Sequence, residues 1–363
     1  MRLYVIAGEA SGDLHAANLI KAMRVQHADL DIRGWGGDRM EAEGVDITRH
    51  IRDLAFMGFT EVIINLKTIL GNISYCKDDI RRFAPDAVIL VDYPGFNLRI
   101  APFVKKLGIK VLYYISPQIW AWKSNRVHAI KKHVDEMYTI LPFEEEFYGR
   151  YGMQVHFVGH PLLDELKDYS LTSDVVSDVI ALLPGSRKQE IGKMLPVMLK
   201  MRSKFPKYKF KVAAAPSIED SFYRQIGGAD IDLVRNGTYP LLSSSAAALV
   251  TSGTATLECA LIGTPEVVCY RGSGISYQIA KRLVKLKFIS LVNLIMDQEV
   301  VRELIQSELN PKNLHIELSR ILEDADHRSR IKNSYKQMRE RLGGIGASAR
   351  CAAHMLKTLE ATD

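Results

Sequence analysis

The sequence predicts an α/β protein that contains two doubly wound parallel sheets. Short apolar runs alternate with helical patterns along most of its 363 residues, which is the order that parallel βα units produce. A polar stretch at 164–178 interrupts this alternation and is the predicted domain linker. The length is sufficient for two α/β domains, each with its own core.

The amino-acid composition favours a soluble enzyme and argues against a nucleic-acid-binding protein. A hydrophobic content of 47% with 25% charged residues is typical of a soluble enzyme. The net charge of +6 permits an anionic partner, but Lys and Arg occur in scattered pairs rather than in a basic arm, which argues against nucleic acid. The four cysteines are dispersed and predict reduced thiols in a cytosol-like compartment. Neither a signal peptide nor a run of about 18 apolar residues is visible.

The predicted elements follow in order. Strands are expected in the first half at 3–7, 87–91, 110–115, 136–141 and 155–158, with helices at 13–26, 61–83, 97–108 and 143–151. Strands are expected in the second half at 179–183, 209–214, 231–234, 247–251 and 265–270, with helices between them. From about residue 297 the pattern is helical to the end. Ligands of such folds bind at the carboxyl ends of the parallel strands, so we expect the site residues in the loops that follow strands.

The most informative of these loops lies within residues 249–272. An apolar strand runs into the small-residue turn 251–254, which opens a helix that carries Glu258 and ends at Gly263. Free backbone N–H groups at a helix start suit phosphate oxygens, and an acid further along suits ribose hydroxyls. The segment therefore predicts a nucleotide-diphosphate site, the alternative being an ordinary capped helix.

A second phosphate-type loop opens the second half at Leu183–Arg187. Gly185 frees the backbone, Ser186 can cap a helix, and Arg187 places a permanent cation beside the N–H groups. A departing diphosphate needs such neutralisation. The alternative is a surface arginine.

The first half offers carboxylates at strand ends. Glu9 and Asp13 lie in the loop 8–13, and Asp92 directly follows the buried strand 87–91. Either loop can supply a general base and bind an acceptor. The alternative is a structural role, in which these side chains cap a helix. Trp120 and Trp122 follow the next strand and either line an acceptor cleft or pack in the core.

An apolar stripe lies in residues 54–75. Its members recur at helical spacing and carry few charges, so they belong either to the core or to a face that docks on a bilayer. The stripe comprises Phe59, Val62, Ile63, Leu66, Ile69, Leu70 and Ile73.

Several catalytic templates are missing from the sequence. It contains no P-loop, no H-E-x-x-H motif and no nucleophile elbow. We therefore predict neither a catalytic metal nor a cofactor.

The chain resembles the lipid-A-disaccharide synthases. The stretches that carry the resemblance span nearly the whole chain in order: 8–13, 91–98, 116–123, 141–148, 158–165, 182–191, 252–271 and 291–295. The stretch 252–271 is also similar to the GT-B transferase that adds GlcNAc in peptidoglycan synthesis.

The resemblance implies a GT-B fold, in which two Rossmann-like domains face each other across a cleft. It implies an acceptor and membrane domain over 1–168, a UDP-sugar domain over 169–340, and a C-terminal helix over 341–363 that returns to the first domain. The implied enzyme is an inverting glycosyltransferase of lipid A and lipopolysaccharide biosynthesis in Gram-negative bacteria. It joins UDP-2,3-diacylglucosamine to 2,3-diacylglucosamine 1-phosphate (lipid X) through a β-1,6 bond and releases UDP.

The resemblance also implies residue roles. Donor-binding residues are Gly185, Ser186, Arg187, Ser252, Gly253, Thr254, Glu258 and Asn293, and acceptor-binding residues are Glu9, Ser11, Gly12, Trp120 and Trp122. Arg187 also has a catalytic role, and the apolar stripe becomes the membrane-binding face. Family members usually carry a second acid where this chain has Gly95, so either Asp92 or Asp13 is expected to be the base.

The implied location is the cytoplasm, peripheral to the anionic cytoplasmic face of the inner membrane. The helical tail permits a homodimer. Two alternatives stay open at this stage, a UDP-sugar 2-epimerase on the same fold and a non-catalytic sugar-nucleotide or lipid-binding protein.

Overall fold

A computed structural model describes residues 1–54, 66–122, 124–169, 177–272 and 287–361. The chain forms two compact units. Unit 1 comprises Met1–Asp164 together with Leu342–Asp363, and unit 2 comprises Glu165–Arg341. The sequence placed the corresponding boundaries at 168/169 and 340/341.

Unit 1 contains a seven-stranded parallel sheet in the order β3-β2-β1-β4-β5-β6-β7. Its strands are β1 (Arg2–Ala7), β2 (Asp31–Gly36), β3 (Asp46–His50), β4 (Ala87–Val91), β5 (Lys110–Tyr114), β6 (Glu136–Thr139) and β7 (His156–Phe157). Its helices are α1 (Ala10–Gln26), α2 (Asp38–Ala42), α3 (Leu66–Phe83), α4 (Pro94–Lys106), α5 (Ile119–Trp122), α6 (Val127–His133), α7 (Glu144–Gly149), α8 (Leu162–Glu165, whose last residue opens unit 2) and the last helix of the chain, Ala347–Glu360.

Apolar layers cover both faces of this sheet. One layer packs α1 and the last helix against β1, β4 and β5, with Leu19, Ile20 and Met355 fully buried. The other packs α3, α4 and α6 beneath the opposite face. The strand β4 is buried along its whole length because both faces are covered, as expected of a parallel sheet.

Unit 2 contains a six-stranded parallel sheet in the order β10-β9-β8-β11-β12-β13. Its strands are β8 (Val179–Leu183), β9 (Lys209–Ala214), β10 (Asp232–Arg235), β11 (Ala247–Thr251), β12 (Glu266–Tyr270) and β13 (Glu303–Ile305). Its helices are α9 (Lys188–Leu199), α10 (Asp220–Gly227), α11 (Thr238–Ser243), α12 (Thr254–Ile262), α13 (Leu291–Met296), α14 (Pro311–Glu323) and α15 (Ala325–Arg341), which makes Ala347–Glu360 helix α16.

Each sheet has one switch point, where the strand order reverses. In unit 1 it lies between β1 and β4, and in unit 2 between β8 and β11. Ligands of doubly wound sheets bind beside the carboxyl ends of these central strands. The loops that open α1, α4, α9 and α12 therefore hold the positions where a site is expected.

The predicted fold class is confirmed, but the structure differs from the predicted elements in four places. β2 and β3 were missed because Arg, Asp, Gly and His interrupt their apolar pattern. The chain is not helical throughout after 297, since the three-residue β13 pairs with β12. Helix α1 begins at Ala10 rather than 13, so only Gly8 and Glu9 of the predicted 8–13 loop precede it.

Candidate functional site

Unit 2 contains a pocket of about 450 Å³ where β8, β9 and β11 end. The pocket lies at the switch point of this sheet. It is lined by Leu183, Gly185, Ser186, Arg187, Glu190, Ala213, Ala214, Ala215, Pro216, Thr238, Thr251, Ser252, Gly253, Thr254, Ala255 and Glu258. Seven of the eight residues assigned to the donor on sequence grounds therefore share one cavity, of a size suited to a small ligand.

Arg187 stands at the start of α9 and is largely exposed. Its Nη1 lies 3.0 Å from Oε1 of Glu190, while the other carboxylate oxygen of Glu190 accepts the Ser186 N–H at 3.2 Å. Gly185 has a φ of +109°, and a Cβ there would come within 2.9 Å of the Glu190 Cβ. Glu190 thus binds both Ser186 and Arg187, and its ion pair holds the Arg187 guanidinium beside the pocket.

The turn after β11 leaves backbone groups available at the start of α12. Ser252 donates through Oγ to the carbonyl of Ile289 at 3.2 Å, and Gly253 and Thr254 are exposed. The buried hydroxyl of Thr251 has no hydrogen-bond partner among the described residues. The N–H groups that open α12 and this hydroxyl suit an anion.

Glu258 lies one turn further along α12 and lines the same pocket. Its Oε1 accepts a hydrogen bond of 3.3 Å from the hydroxyl of Tyr239 on α11. Burial raises the pKa of Glu258, and the bond from Tyr239 opposes this effect. The carboxylate is thus oriented toward the pocket by a neighbouring helix.

Asn293 is the one predicted donor residue that lies elsewhere. It is fully buried, donates through Nδ2 to Glu303 and the carbonyl of Val301, and accepts the N–H groups of Val300 and Val301. This network fixes α13 to the segment before β13. A contact between Asn293 and a donor stays a prediction.

In unit 1, Asp13 is a capping residue. Its carboxylate is buried and accepts the N–H groups of Gly37, Arg39 and Met40 at 2.6–3.1 Å. It therefore caps α2, not its own helix as the sequence alternative had it. Both carboxylate oxygens of Asp13 are thus occupied by backbone N–H groups inside the fold, so Asp92 is the better placed of the two predicted acids to act as the base.

Asp92 occupies the switch point of unit 1 in a strained conformation. Asp92 and Tyr93 both have a φ of +45°, which is uncommon for residues other than glycine. The Asp92 carbonyl accepts hydrogen bonds from Asn97 Nδ2 at 2.7 Å and from the Tyr113 hydroxyl at 2.6 Å. Burial, followed by the charge of Glu9, raises the pKa of Asp92 to about 6.

The predicted acceptor residues around Asp92 come from the start of α1. Glu9 and Ser11 are exposed, and Gly12 packs against Ala7. A Cβ at Gly8 would enter the ring of Tyr93, which explains the glycine there. Glu9 and Asp92 follow the paired strands β1 and β4, in which Ala7 lies opposite Val91, so the two acids leave the same edge of the sheet.

The two tryptophans lie on α5, a short helix rather than a loop. Trp120 is half-buried and meets the Phe143 ring edge-to-face at 4.9 Å between centroids. Trp122 is 55% exposed. One indole is therefore anchored while the other faces outward.

The predicted membrane stripe is only partly described. Phe59, Val62 and Ile63 lie outside the described residues, while Leu66 and Ile69 belong to α3, and Leu70 is 55% exposed. No helix within the described ranges is long and apolar enough to cross a bilayer. In those same ranges, no group of three or more His, Cys, Asp or Glu residues could hold a metal ion.

Sequence reasoning missed three residues that support these sites: Glu190, Tyr239 and Asn97. Glu190 had a visible signal, because an acid three residues after a helix N-cap commonly turns back to the preceding backbone. Asn97 stands in the quoted stretch 91–98, but its contact with the Asp92 carbonyl depends on the αL backbone. Tyr239 has no sequence signal, since it meets Glu258 only in the folded sheet.

The two doubly wound parallel sheets, with a pocket at the switch point of the second, define a protein of the GT-B fold class. Solved structures similar over nearly the whole chain include the UDP-GlcNAc 2-epimerase of Neisseria meningitidis (TM-score 0.67, 14% identity, 98% of this chain and 100% of that one). They also include the calicheamicin glycosyltransferase CalG4 (TM-score 0.61, 13% identity, 99% and 98%). At these identities the likeness shows the fold alone and does not favour the epimerase.

The sequence profile of lipid-A-disaccharide synthetase matches residues 3–356. The lipid-A-disaccharide synthase of Syntrophus aciditrophicus is 41% identical over 99% of this chain and 98% of its own. That of Myxococcus xanthus is 39% identical over 99% and 97%. This chain belongs to the lipid-A-disaccharide synthetase family of glycosyltransferases, which act in lipid A biosynthesis.

Proposed function

We propose that this chain transfers 2,3-diacylglucosamine from its UDP derivative to the 6-hydroxyl of 2,3-diacylglucosamine 1-phosphate. The products are the β-1,6-linked disaccharide 1-phosphate and UDP. The observation that carries the proposal is the pocket at the β8–β11 switch point, which gathers Arg187, the 252–254 turn and Glu258 in a member of this family.

Unit 2 binds the donor in this proposal. The N–H groups at the start of α12 and the guanidinium of Arg187 hold the diphosphate, and Glu258 accepts from the ribose hydroxyls. Glu190 already pairs with Arg187, so the diphosphate competes with this carboxylate for the guanidinium. Because the phosphate charge grows as the sugar departs, these contacts strengthen in the transition state.

In this proposal, unit 1 binds the acceptor and provides the base. The acceptor 6-oxygen attacks the anomeric carbon while its proton passes to the Asp92 carboxylate, and the bond from that carbon to the diphosphate oxygen breaks with its electron pair. Attack opposite the leaving group inverts the anomeric centre and gives the β-linkage. With a pKa of about 6, Asp92 is charged at neutral pH and is still basic enough to accept a proton.

The chain also binds an anionic membrane surface in this proposal, on the cytoplasmic face of the inner membrane. Leu70 and Trp122 are exposed apolar groups. Helices α4 and α6 contain no acid, and they expose Arg99, Lys105, Lys106, Lys131 and Lys132. Exposed cations of this kind attract anionic headgroups, although Lys105 also pairs with Asp135.

The test is an assay of the purified chain with both acylated substrates. UDP and an acylated disaccharide should appear in equal amounts with the wild type, and neither should appear above background with Asp92→Asn. Incubation with UDP-GlcNAc alone tests the epimerase. Formation of its 2-epimer without disaccharide from the acylated pair would replace the proposal.

A further inference from the structure

Tyr169 lies among the first residues of unit 2, and no step of the proposed reaction uses it. Its ring is half-buried and meets the ring of Tyr239 edge-to-face, with 5.6 Å between the centroids and 74° between the planes. Its N–H donates to the carbonyl of Leu166 at 3.0 Å, and Leu166 is fully buried. The backbone that carries the Tyr169 ring is therefore anchored by a buried residue.

Tyr239 connects Tyr169 to the pocket of unit 2. It belongs to the six-residue helix α11, which buries the side chains of Leu241 and Leu242. Its hydroxyl donates to Oε1 of Glu258, which lines the pocket, at 3.3 Å. Burial, followed by the charge of Glu258, raises the pKa of Tyr239, so this hydroxyl keeps its proton at neutral pH and is the donor of the bond.

The contact with Tyr169 limits the orientations that the Tyr239 ring can take. Packing of α11 fixes the backbone of Tyr239, but its hydroxyl lies beyond two rotatable side-chain bonds. An edge-to-face aromatic pair has a preferred geometry, so the Tyr169 ring selects among the rotamers of Tyr239. A distance of 3.3 Å is already long for an O–H···O hydrogen bond, so a small rotation of the ring breaks it.

We propose that Tyr169 is a positioning residue for the donor, because it holds Tyr239 in the orientation that directs Glu258 to the ribose hydroxyls. The inference rests on the proposed function, in which Glu258 accepts from these hydroxyls. Tyr169 is not one of the described residues that line the pocket, so it acts only through Tyr239. Since coupling between two positions is reciprocal, a nucleotide bound at Glu258 should in turn restrain Tyr169.

The binding test compares UDP with 2′,3′-dideoxy-UDP, which lacks both ribose hydroxyls. Calorimetry should show that wild type binds UDP about tenfold more tightly than the dideoxy compound. Tyr169→Leu removes the ring but keeps an apolar side chain, and should reduce this ratio about threefold by weakening UDP binding alone. Tyr169→Phe keeps the ring and should preserve the ratio. Tyr208→Leu, which breaks another edge-to-face pair of unit 2 outside the pocket, is the matched control and should also preserve it.

A double variant separates positioning from a general effect on folding. When Tyr239→Phe is already present, Tyr169→Leu should cause no further loss of UDP affinity, because the hydrogen bond through which it acts is absent. An unchanged ratio in Tyr169→Leu, an equal loss for both nucleotides, or additive losses in the double variant would overturn the inference alone. Equal binding of the two nucleotides by wild type would refute the proposed ribose contact of Glu258, and the inference with it.

A further readout requires neither activity nor a variant of Tyr169. Hydrogen exchange followed by mass spectrometry reports on the peptide 165–169, which contains the bonded N–H of Tyr169. Saturating UDP should slow exchange of this peptide in wild type, and Tyr239→Phe should abolish the slowing. No slowing in wild type, or equal slowing in both proteins, refutes the positioning role. Slowing in a chain that makes no disaccharide refutes only the proposed reaction.

Discussion

The hydroxyl of Tyr239 donates a hydrogen bond of 3.3 Å to Oε1 of Glu258, and so connects the acid in the pocket of unit 2 to helix α11. Tyr239→Phe removes this donor without removing the ring. Because Glu258 then loses an oriented partner that favours its charge, we expect the Kd for UDP to rise about tenfold by calorimetry. Tyr208→Phe, outside the pocket, is the matched control. Equal Kd values for Tyr239→Phe and wild type would contradict this role.

Arg187 should contribute to both binding and turnover. Arg187→Ala removes a charge-assisted contact to the diphosphate, which is worth about 1.5–3 kcal/mol, so we expect at least a roughly tenfold loss of kcat. Arg202→Ala, which breaks an exposed ion pair with Asp230 elsewhere in unit 2, should leave kcat unchanged. Steady-state rates of UDP release measure both, and unchanged turnover in Arg187→Ala would remove this residue from the site.

The pH profile of kcat/KM should follow the titration of the Asp92 carboxyl group. A base must be charged, so kcat/KM should rise about tenfold per pH unit below pH about 6 and level off above it. Glu9→Gln removes the negative charge that helps to raise the Asp92 pKa, so the acid limb should move to lower pH. Glu41→Gln, an exposed change on α2, should leave the limb in place. A limb that does not respond to Glu9→Gln would argue against Asp92 as the base.

Membrane binding should depend on charge and on exposed apolar groups. In flotation with vesicles rich in phosphatidylglycerol, Lys106→Glu with Lys132→Glu should weaken binding by more than about tenfold, since each cation contributes about 1 kcal/mol. Leu70→Glu should also weaken it. Lys204→Glu with Lys207→Glu, at exposed positions in unit 2, is the charge-matched control. Equal binding of all variants, or equal binding to neutral vesicles, would refute the proposed surface.

Glu266 should make unit 2 less stable as the pH rises. It is fully buried at the start of β12, neither carboxylate oxygen has a partner among the described residues, and burial raises its pKa well above the usual value. The folded state keeps this proton while the unfolded state releases it above about pH 4.5. The free energy of unfolding therefore falls by up to about 1.4 kcal/mol per pH unit above that value.

The variant Glu266→Gln removes this titration. Urea unfolding followed by circular dichroism should show that Glu266→Gln gains stability over wild type as the pH increases from about 5 to 8. The control variant Glu323→Gln, at an exposed residue, should have the same free energy of unfolding as wild type at each pH. A constant difference between Glu266→Gln and wild type across this range would mean that Glu266 does not titrate between the folded and unfolded states.

Local sequence patterns predicted the fold class and brought together most of the residues that line the pocket of unit 2. Arg187, Ser252 and Glu258 follow strands whose uninterrupted apolar runs are typical of buried parallel strands. Because the carboxyl ends of such strands lie at the same edge of a sheet, the sequence alone predicts that these three residues line one pocket. The same reasoning missed the polar strands β2 and β3, because their place in the sheet depends on pairing of β2 with β1 and of β3 with β2 rather than on composition.

Long-range polar contacts were the part that sequence could not predict. Asp13 and Asp92 look equivalent as acids near strand ends, yet Asp13 is committed to the N–H groups of Gly37, Arg39 and Met40, while Asp92 keeps a raised pKa. Asn293 stands in a stretch that matches the family, but its amide is used inside the fold. Such partners are set by the packing of elements that are distant in sequence.

A crystal structure of the chain with UDP tests the proposed donor site most directly. We expect the diphosphate against the 252–254 backbone and the Arg187 guanidinium, with the ribose hydroxyls at Glu258. UDP bound anywhere else, or bound with its ribose away from Glu258, would contradict it.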